Sequence, residues 1–256
     1  MIYALDLFSG IGGMSIAIRK YARTICYCES DRYAQGVLLS RMRSGDIDRA
    51  PICCDVRNLN GKMLPRIDII TAGFPCQDIS VAGTGKGLAG QRSGLFYEIV
   101  RLIKETKPKF VFLENVPAIR TRGLNEVIKE ISELGYDCRW TIVSAAEIGA
   151  IHIRKRWFLL AYSNSQRLRK EQRKKLQRPG KIQGQMEPDS KSSTRETSQP
   201  LTRTLKPNMV RAGDGISNIV DRNRCLGNSV VPEQAKKAFE KLIGLNQPNN
   251  ERVDEG

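Results

Sequence analysis

The stretch Ile69-Ile70-Thr71-Ala72-Gly73-Phe74-Pro75-Cys76-Gln77 constrains this chain more than any other. Ile67 to Ala72 is short, β-branched and apolar on both faces, the pattern of a strand buried in a parallel sheet, and Gly73 and Pro75 stop it from continuing. The turn therefore delivers Cys76 to the C-terminal end of a strand. In open α/β sheets that edge is where ligands bind. Most intracellular cysteines are small buried hydrophobes, but a thiol at that edge, with its thiolate stabilised, is a candidate nucleophile.

The N-terminus supplies a second constraint. Ile2 to Phe8 reads as a strand, Ser9-Gly10-Ile11-Gly12-Gly13 as a glycine turn, and Met14 to Tyr21 as a helix. Strand, glycine turn and helix form the nucleotide-binding opening of a doubly wound sheet, in which glycine lets the backbone approach a ligand. A second strand, Thr24 to Cys28, ends in Glu29, about 20 residues beyond the turn, where a carboxylate can accept hydrogen bonds from ribose hydroxyls. Either feature alone is also met in an ordinary turn with a helix-capping acid; together they favour an adenosine-type ligand. The third glycine of the dinucleotide fingerprint is not in place, which argues against a nicotinamide cofactor.

The remaining segments continue the alternation. Helix Arg32 to Arg41 leads to strand Ile52 to Cys54 and then Asp55, an acid at the same edge that suits an adenine amino group or caps the turn before Asn58. Ser80 to Ser93 is a glycine-rich loop that reads as a lid beside the nucleophile; its Gly-Thr-Gly-Lys-Gly run lacks the spacing of a P-loop. Helix Leu95 to Lys104, strand Lys109 to Leu113 closed by Glu114-Asn115-Val116-Pro117, helix Leu124 to Leu134, and strands Tyr136 to Val143 and Arg156 to Tyr162 complete a sheet of about seven strands. A final helix runs from Pro232 to Leu242. His152, the sole histidine, lies among basic residues, which suits a nucleic-acid contact or a solvated position better than a general base.

Charge and composition narrow the function. The chain of 256 residues carries a net charge of +15, and Asn164 to Lys206 holds twelve Lys and Arg against four Asp and Glu. So local an excess suits a surface that contacts phosphates, although Asn164 to Pro200 has little periodicity and reads as disordered without a partner. Seven cysteines with no Cys-x-x-Cys pair indicate neither a disulfide framework nor a zinc site, and no metal is expected. With no signal segment and no apolar run of spanning length, the expectation is a cytoplasmic protein, bacterial or phage-encoded, with no membrane association and monomeric.

Five ordered motifs now resemble the cytosine-C5 DNA methyltransferase family: Asp6-Leu-Phe8-Ser-Gly10-Ile-Gly12-Gly13, Gly73-Phe-Pro75-Cys76-Gln77, Glu114-Asn115-Val116, Arg154-Lys-Arg156, and Gly227-Asn228-Ser229-Val230-Val231. The similarity covers residues 1 to 163 and again 205 to 243. It implies an α/β, Rossmann-like S-adenosylmethionine-dependent methyltransferase sheet with helices on both faces, plus a small basic target-recognition region. The divisions it suggests are a catalytic and cofactor-binding domain at 1–163, a basic target-recognition or linker region at 164–206, a returning segment at 207–245 and a frayed tail at 246–256. Two departures stand out. Ile151-His152 replaces the Pro-Gln that usually opens the basic motif, and the target-recognition region is far shorter than usual.

The resemblance also assigns roles. Cofactor contacts fall on Phe8, Ser9, Gly10, Gly12, Gly13, Glu29, Ser30, Asp55, Val56, Pro75, Asn228 and Ser229, and contacts to double-stranded DNA on Gln77, Ser80, Lys86, Arg92, Arg167, Arg169 and Lys170. C5 of cytosine is a weak nucleophile, so a thiolate, Cys76, adds at C6 to make an enamine-like ring that can take a methyl group. Glu114 supplies a proton or strong hydrogen bond at N3, and Arg154 and Arg156 anchor phosphate and orient the site. The base must leave the stack to be reached. The alternatives are tRNA cytosine methylation, for which the expected Cys-Phe-Thr tripeptide is missing, a silent nucleic-acid-binding module, and a nicotinamide oxidoreductase.

Overall fold

The computed structural model describes residues 1–75, 94–150, 153–163 and 229–244. Seven strands, β1 (Tyr3–Leu7), β2 (Arg23–Cys28), β3 (Ile52–Cys53), β4 (Ile69–Gly73), β5 (Phe110–Asn115), β6 (Tyr136–Ser144) and β7 (Lys155–Ser163), form one sheet in the order β3-β2-β1-β4-β5-β7-β6. The first five strands run parallel, and β7 is antiparallel to both β5 and β6. Around the sheet lie α1 (Gly13–Ile18), α2 (Arg32–Ser44), α3 (Gly94–Thr106), α4 (Ile119–Arg122), α5 (Leu124–Glu133) and α6 (Pro232–Ile243).

The two-residue period of the strands sorts the core into two layers. Leu5, Leu7, Ile70, Ala72, Val111, Leu113, Trp157 and Leu159 pack with α3, α4 and α5. Ala4, Ile69, Phe112, Phe158 and Leu160 pack with α1 and α6. Apolar side chains on both faces of one strand require cover on both faces, so the sheet is sandwiched. α6 is held by Phe239, whose ring lies 5.2 Å from those of both Tyr21 and Phe112. Each fully buried side chain of that size contributes about 1.5–3 kcal/mol.

Several expected boundaries shift, for local reasons. β3 stops at Cys53 rather than Cys54, because the Asp55 side chain accepts a hydrogen bond from the Arg57 N–H and turns the chain. α1 ends at Ile18, whose carbonyl accepts from both Tyr21 and Ala22 and closes a turn there. α2 continues to Ser44 and ends on Gly45, at φ 79°. The four-residue α4 was not expected; a single turn has no periodicity to read.

Candidate active site

The glycine turn is tied down from beneath and open above. Phe8 has φ 53°, a left-handed conformation that costs a bulky residue about 1–3 kcal/mol and persists only where its surroundings enforce it. Ser9 enforces it: its Oγ donates to the Asp6 carbonyl at 2.7 Å and accepts from the Cys28 N–H at 3.2 Å. Gly10 has φ 52°, and no atom lies within 4 Å of where its Cβ would stand, so a ligand can approach the backbone there.

Glu29, at the end of β2, faces this turn. One carboxylate oxygen accepts from the Gly10 N–H at 2.7 Å and the other from the Asp31 N–H at 2.8 Å. A carboxylate has about four lone-pair sites, so capacity for ligand hydroxyls remains. Ser30 beside it is exposed. The open cradle at Gly10 and the acceptor next to it fit the ribose and chain of an adenosine-type cofactor.

Asp55 is differently engaged. It forms an ion pair with Arg57 at 2.7 Å, and the guanidinium hydrogen bonds hold its carboxyl below the usual range. The turn that follows is braced by Arg101 on α3, which donates to the carbonyls of Val56 and Leu59, both at 2.9 Å. Val56 itself is buried.

Under the turn lies a polar node that the sequence reading left without a role. Asp6 is fully buried and accepts from Ser15 Oγ at 2.7 Å and Thr71 Oγ1 at 2.5 Å, joining β1, α1 and β4. Burial pushes its carboxyl up to about 7, against the pull of both hydroxyls, and the charge of Glu29 adds to the push. The available signal was an acid at the centre of an otherwise apolar strand.

Glu114 and the two arginines come together because β5 and β7 are antiparallel neighbours. Glu114 pairs in register with Phe158, so Arg156, two residues earlier on β7, shares its face, and Arg154, just before the strand, continues the same alternation. Arg156 Nε lies 2.8 Å from Glu114 Oε1. The second oxygen stands 3.2 Å from the Cβ position of Gly73, its register partner on β4. Burial raises the Glu114 carboxyl to about 7, and the Arg156 and Arg154 charges pull it down only in part. An acid near neutrality with one oxygen already accepting from Arg156 keeps the other oxygen free to carry a proton.

Two further residues support this edge. Asn115 donates to the Phe74 carbonyl at 3.1 Å and accepts from the Val116 N–H at 2.8 Å, fixing the backbone just before Pro75. Arg154 Nη2 donates to the Ser229 carbonyl at 2.9 Å. That brings the C-terminal segment to the site, where a cleft of about 660 Å³ is lined by Ile11, Gly13, Arg41, Arg154, Arg156 and Ser229 among others. Arg41 was not singled out from sequence; it donates to the Ile11 carbonyl at 2.5 Å and adds a third guanidinium to the cleft.

Cys76, Gln77, Ser80, Lys86, Arg92, His152, Arg167, Arg169, Lys170 and Asn228 lie outside the described residues, as does the whole basic stretch 164–206. Pro75, the last described residue before Cys76, is exposed at the end of β4. Among the described residues no cluster of His, Cys, Asp and Glu could hold a metal ion, and no helix is long and apolar enough to cross a membrane.

Sheet order, glycine turn and acidic strand ends together define a Rossmann-like methyltransferase fold. The solved S. pombe Dnmt2 methyltransferase has this fold too, with a TM-score of 0.53 at 24% identity over 64% of this chain and 51% of that one. Residues 2–223 match the family described as C-5 cytosine-specific DNA methylase, and the chain belongs to that family. Among its relatives, the type II methyltransferase M.CviJI of Paramecium bursaria Chlorella virus IL3A is 40% identical over 159 residues, 61% of this chain and 42% of that protein. The type II methyltransferase M.HhaI of Haemophilus parahaemolyticus is 34% identical over 165 residues, 62% of this chain and 49% of that protein. The chain thus spans about half the length of the curated relatives it matches.

Proposed function

We propose that this chain is a DNA (cytosine-5-)-methyltransferase, which uses S-adenosylmethionine to methylate C5 of a cytosine flipped out of double-stranded DNA. The observation that carries this reading is the Glu114 carboxyl, raised to about 7 and held by Arg156 on the same strand edge as Gly73, three residues before Cys76. A carboxylic acid protonated near neutrality on that strand edge answers the need of cytosine, whose N3 gains electron density when C6 is attacked.

Cys76 attacks C6 as the thiolate, and Glu114 delivers its proton from Oε2 to N3. Arg156 holds the other carboxylate oxygen, and with Arg154 it offers guanidinium groups to the substrate's phosphates. Phe8 to Gly13 and Glu29 would hold the cofactor, with Ser30, Asp55, Val56, Pro75, Asn228 and Ser229 around it; Asp55 would have to share its carboxylate between Arg57 and the ligand. When bound, the cofactor supplies an electrophilic methyl group. Loss of the C5 proton to a water molecule, expulsion of the Cys76 thiolate from C6 and return of the N3 proton to the Glu114 carboxylate release 5-methylcytosine. Relatives named type II methyltransferases, one of them viral, support a setting in restriction–modification or phage-type DNA modification.

A covalent trap tests the reading. DNA carrying 5-fluorocytosine accepts the thiolate and the methyl group, but fluorine cannot leave as a proton does. A denaturation-resistant protein–DNA band should form only with S-adenosylmethionine and should vanish in Cys76→Ala. A band that persists in Cys76→Ala moves the nucleophile elsewhere, and no band on any DNA with the wild type removes the reading.

A further inference from the structure

The base of α6 holds a buried side chain that none of the motifs includes. Gln234 is fully buried, and its Nε2 donates to two backbone carbonyls, that of Val143 at 2.7 Å and that of Arg154 at 2.6 Å. Those carbonyls lie near the end of the β6–β7 pair, where Val143 is in register with Arg156 and Ser144 with Lys155. Two carbonyl acceptors fix which end of the amide points inward, since an oxygen there would meet two oxygens. The Arg154 carbonyl also accepts from the Ala145 N–H at 3.1 Å.

The same segment grips Arg154 a second time, through the bond from its guanidinium to the Ser229 carbonyl. Backbone and side chain of Arg154 are therefore both set by residues 75–80 positions away in sequence. Gln234 Oε1 is buried with no partner among the described residues. An unsatisfied buried oxygen is unfavourable, and an apolar side chain of similar volume would fill the space without it. Packing alone does not call for glutamine at this position; anchoring two carbonyls does.

We propose that Gln234 is a positioning residue for the reaction: by holding the Arg154 carbonyl against that of Val143, it sets where the Arg154–Arg156 pair stands relative to Glu114. This rests on the methyltransferase reading of that site. Glu114 is faced by Arg156 from β7, by Arg154 just before it and by Gly73 from β4; burial raises its carboxyl, and among the described residues those two guanidinium groups supply the charge that opposes the rise. If the start of β7 is released, both cations retreat, the carboxyl holds its proton to higher pH, and base and phosphate are engaged out of place.

Gln234→Leu keeps volume and helix but cannot donate, and Gln234→Glu puts oxygens against both carbonyls. The expected result for Gln234→Leu is a cooperative melt and S-adenosylmethionine affinity within about threefold of wild type, with single-turnover methyl transfer at least tenfold slower and the alkaline limb of its pH profile moved to higher pH. Gln234→Glu should be worse in rate. A rate and limb equal to wild type in Gln234→Leu overturns the proposal, as does a loss of cofactor affinity parallel to the loss of rate, which would make Gln234 merely structural. A readout independent of catalysis is solvent exchange of the Arg154 Nε–H, which is buried in this structure. NMR should show it protected in the wild type and exchanging at least tenfold faster in Gln234→Leu; equal protection in both overturns the proposal. Wild-type protein without methyl transfer but with this exchange difference would sink the methyltransferase reading and leave the positioning of Arg154 standing.

Discussion

The carbonyl oxygen of Val230 lies 2.7 Å from the point that a Cβ on Gly13 would occupy. Gly13 is the first residue of α1 and Val230 comes just before α6, so the glycine turn and the C-terminal segment meet with no room for a side chain. Gly13→Ala must push one of two backbones aside. The expected cost is about 1–3 kcal/mol of stability, typical of overpacking, together with weaker S-adenosylmethionine binding. Chemical denaturation and calorimetry measure both. An alanine variant with unchanged stability and affinity would mean that the segment is not seated against the turn in solution.

Asp6 makes stability depend on pH with a definite sign. Its folded carboxyl titrates at about 7 against an ordinary 3.8, so between those values the unfolded chain releases a proton that the folded chain keeps. Stability is greatest below the ordinary value and falls as pH rises through about 7, by on the order of a few kcal/mol. Glu114 adds to the same trend in the same window. Asp6→Asn should therefore be destabilised at pH 5 but less so, relative to wild type, at pH 8, as read from urea midpoints. A larger deficit at pH 8 than at pH 5 would show that the carboxylate is the favoured folded form.

What the sequence made legible followed from short periods. The short apolar runs of β1, β4 and β5 and the acids closing β2 and β5 were readable because each is decided within a few residues. The bounds of β3 and α1 were not, since Asp55 and Ile18 end them through individual hydrogen bonds that compete with continuing the element. Nor were the roles of Asp6, Asn115 and Gln234. Each acts on a partner far along the chain, Thr71, Phe74 and Arg154 respectively, and a single polar letter gives no sign of which partner it will meet.

The basic stretch is expected to supply binding strength more than base reading. Residues 167–195 carry ten Lys and Arg against three Asp and Glu. Each phosphate neutralised contributes about −0.9 to the slope of log affinity against log salt on duplex DNA. Deleting these residues should flatten the slope by several such contacts and weaken binding alike on all sequences. Bisulfite sequencing of DNA from expressing cells tests the other outcome: an intact affinity with an altered set of methylated sites would make the stretch a compact recognition element.

Glu114 and Cys76 should leave opposite marks on the pH dependence of methyl transfer. In the proposed mechanism the thiol must lose its proton to attack C6, so the rate rises with pH on the acid side. Glu114 must keep its proton to deliver it at N3, so the rate falls as pH passes about 7, where burial has raised this carboxyl. The product of the two fractions is a bell. Glu114→Gln keeps a hydrogen-bond donor but has no proton to give, and single-turnover transfer should slow by roughly 10²–10⁴-fold, the usual share of a general acid. More telling is the shape, for the falling limb should disappear in the glutamine variant while the rising limb stays. Arg156→Ala removes the cation 2.8 Å from Glu114 and should shift the falling limb to higher pH, because less positive charge then opposes protonation. A falling limb that survives unchanged in Glu114→Gln would assign it to another group and leave Glu114 as a hydrogen-bond partner of the base without a proton-transfer role.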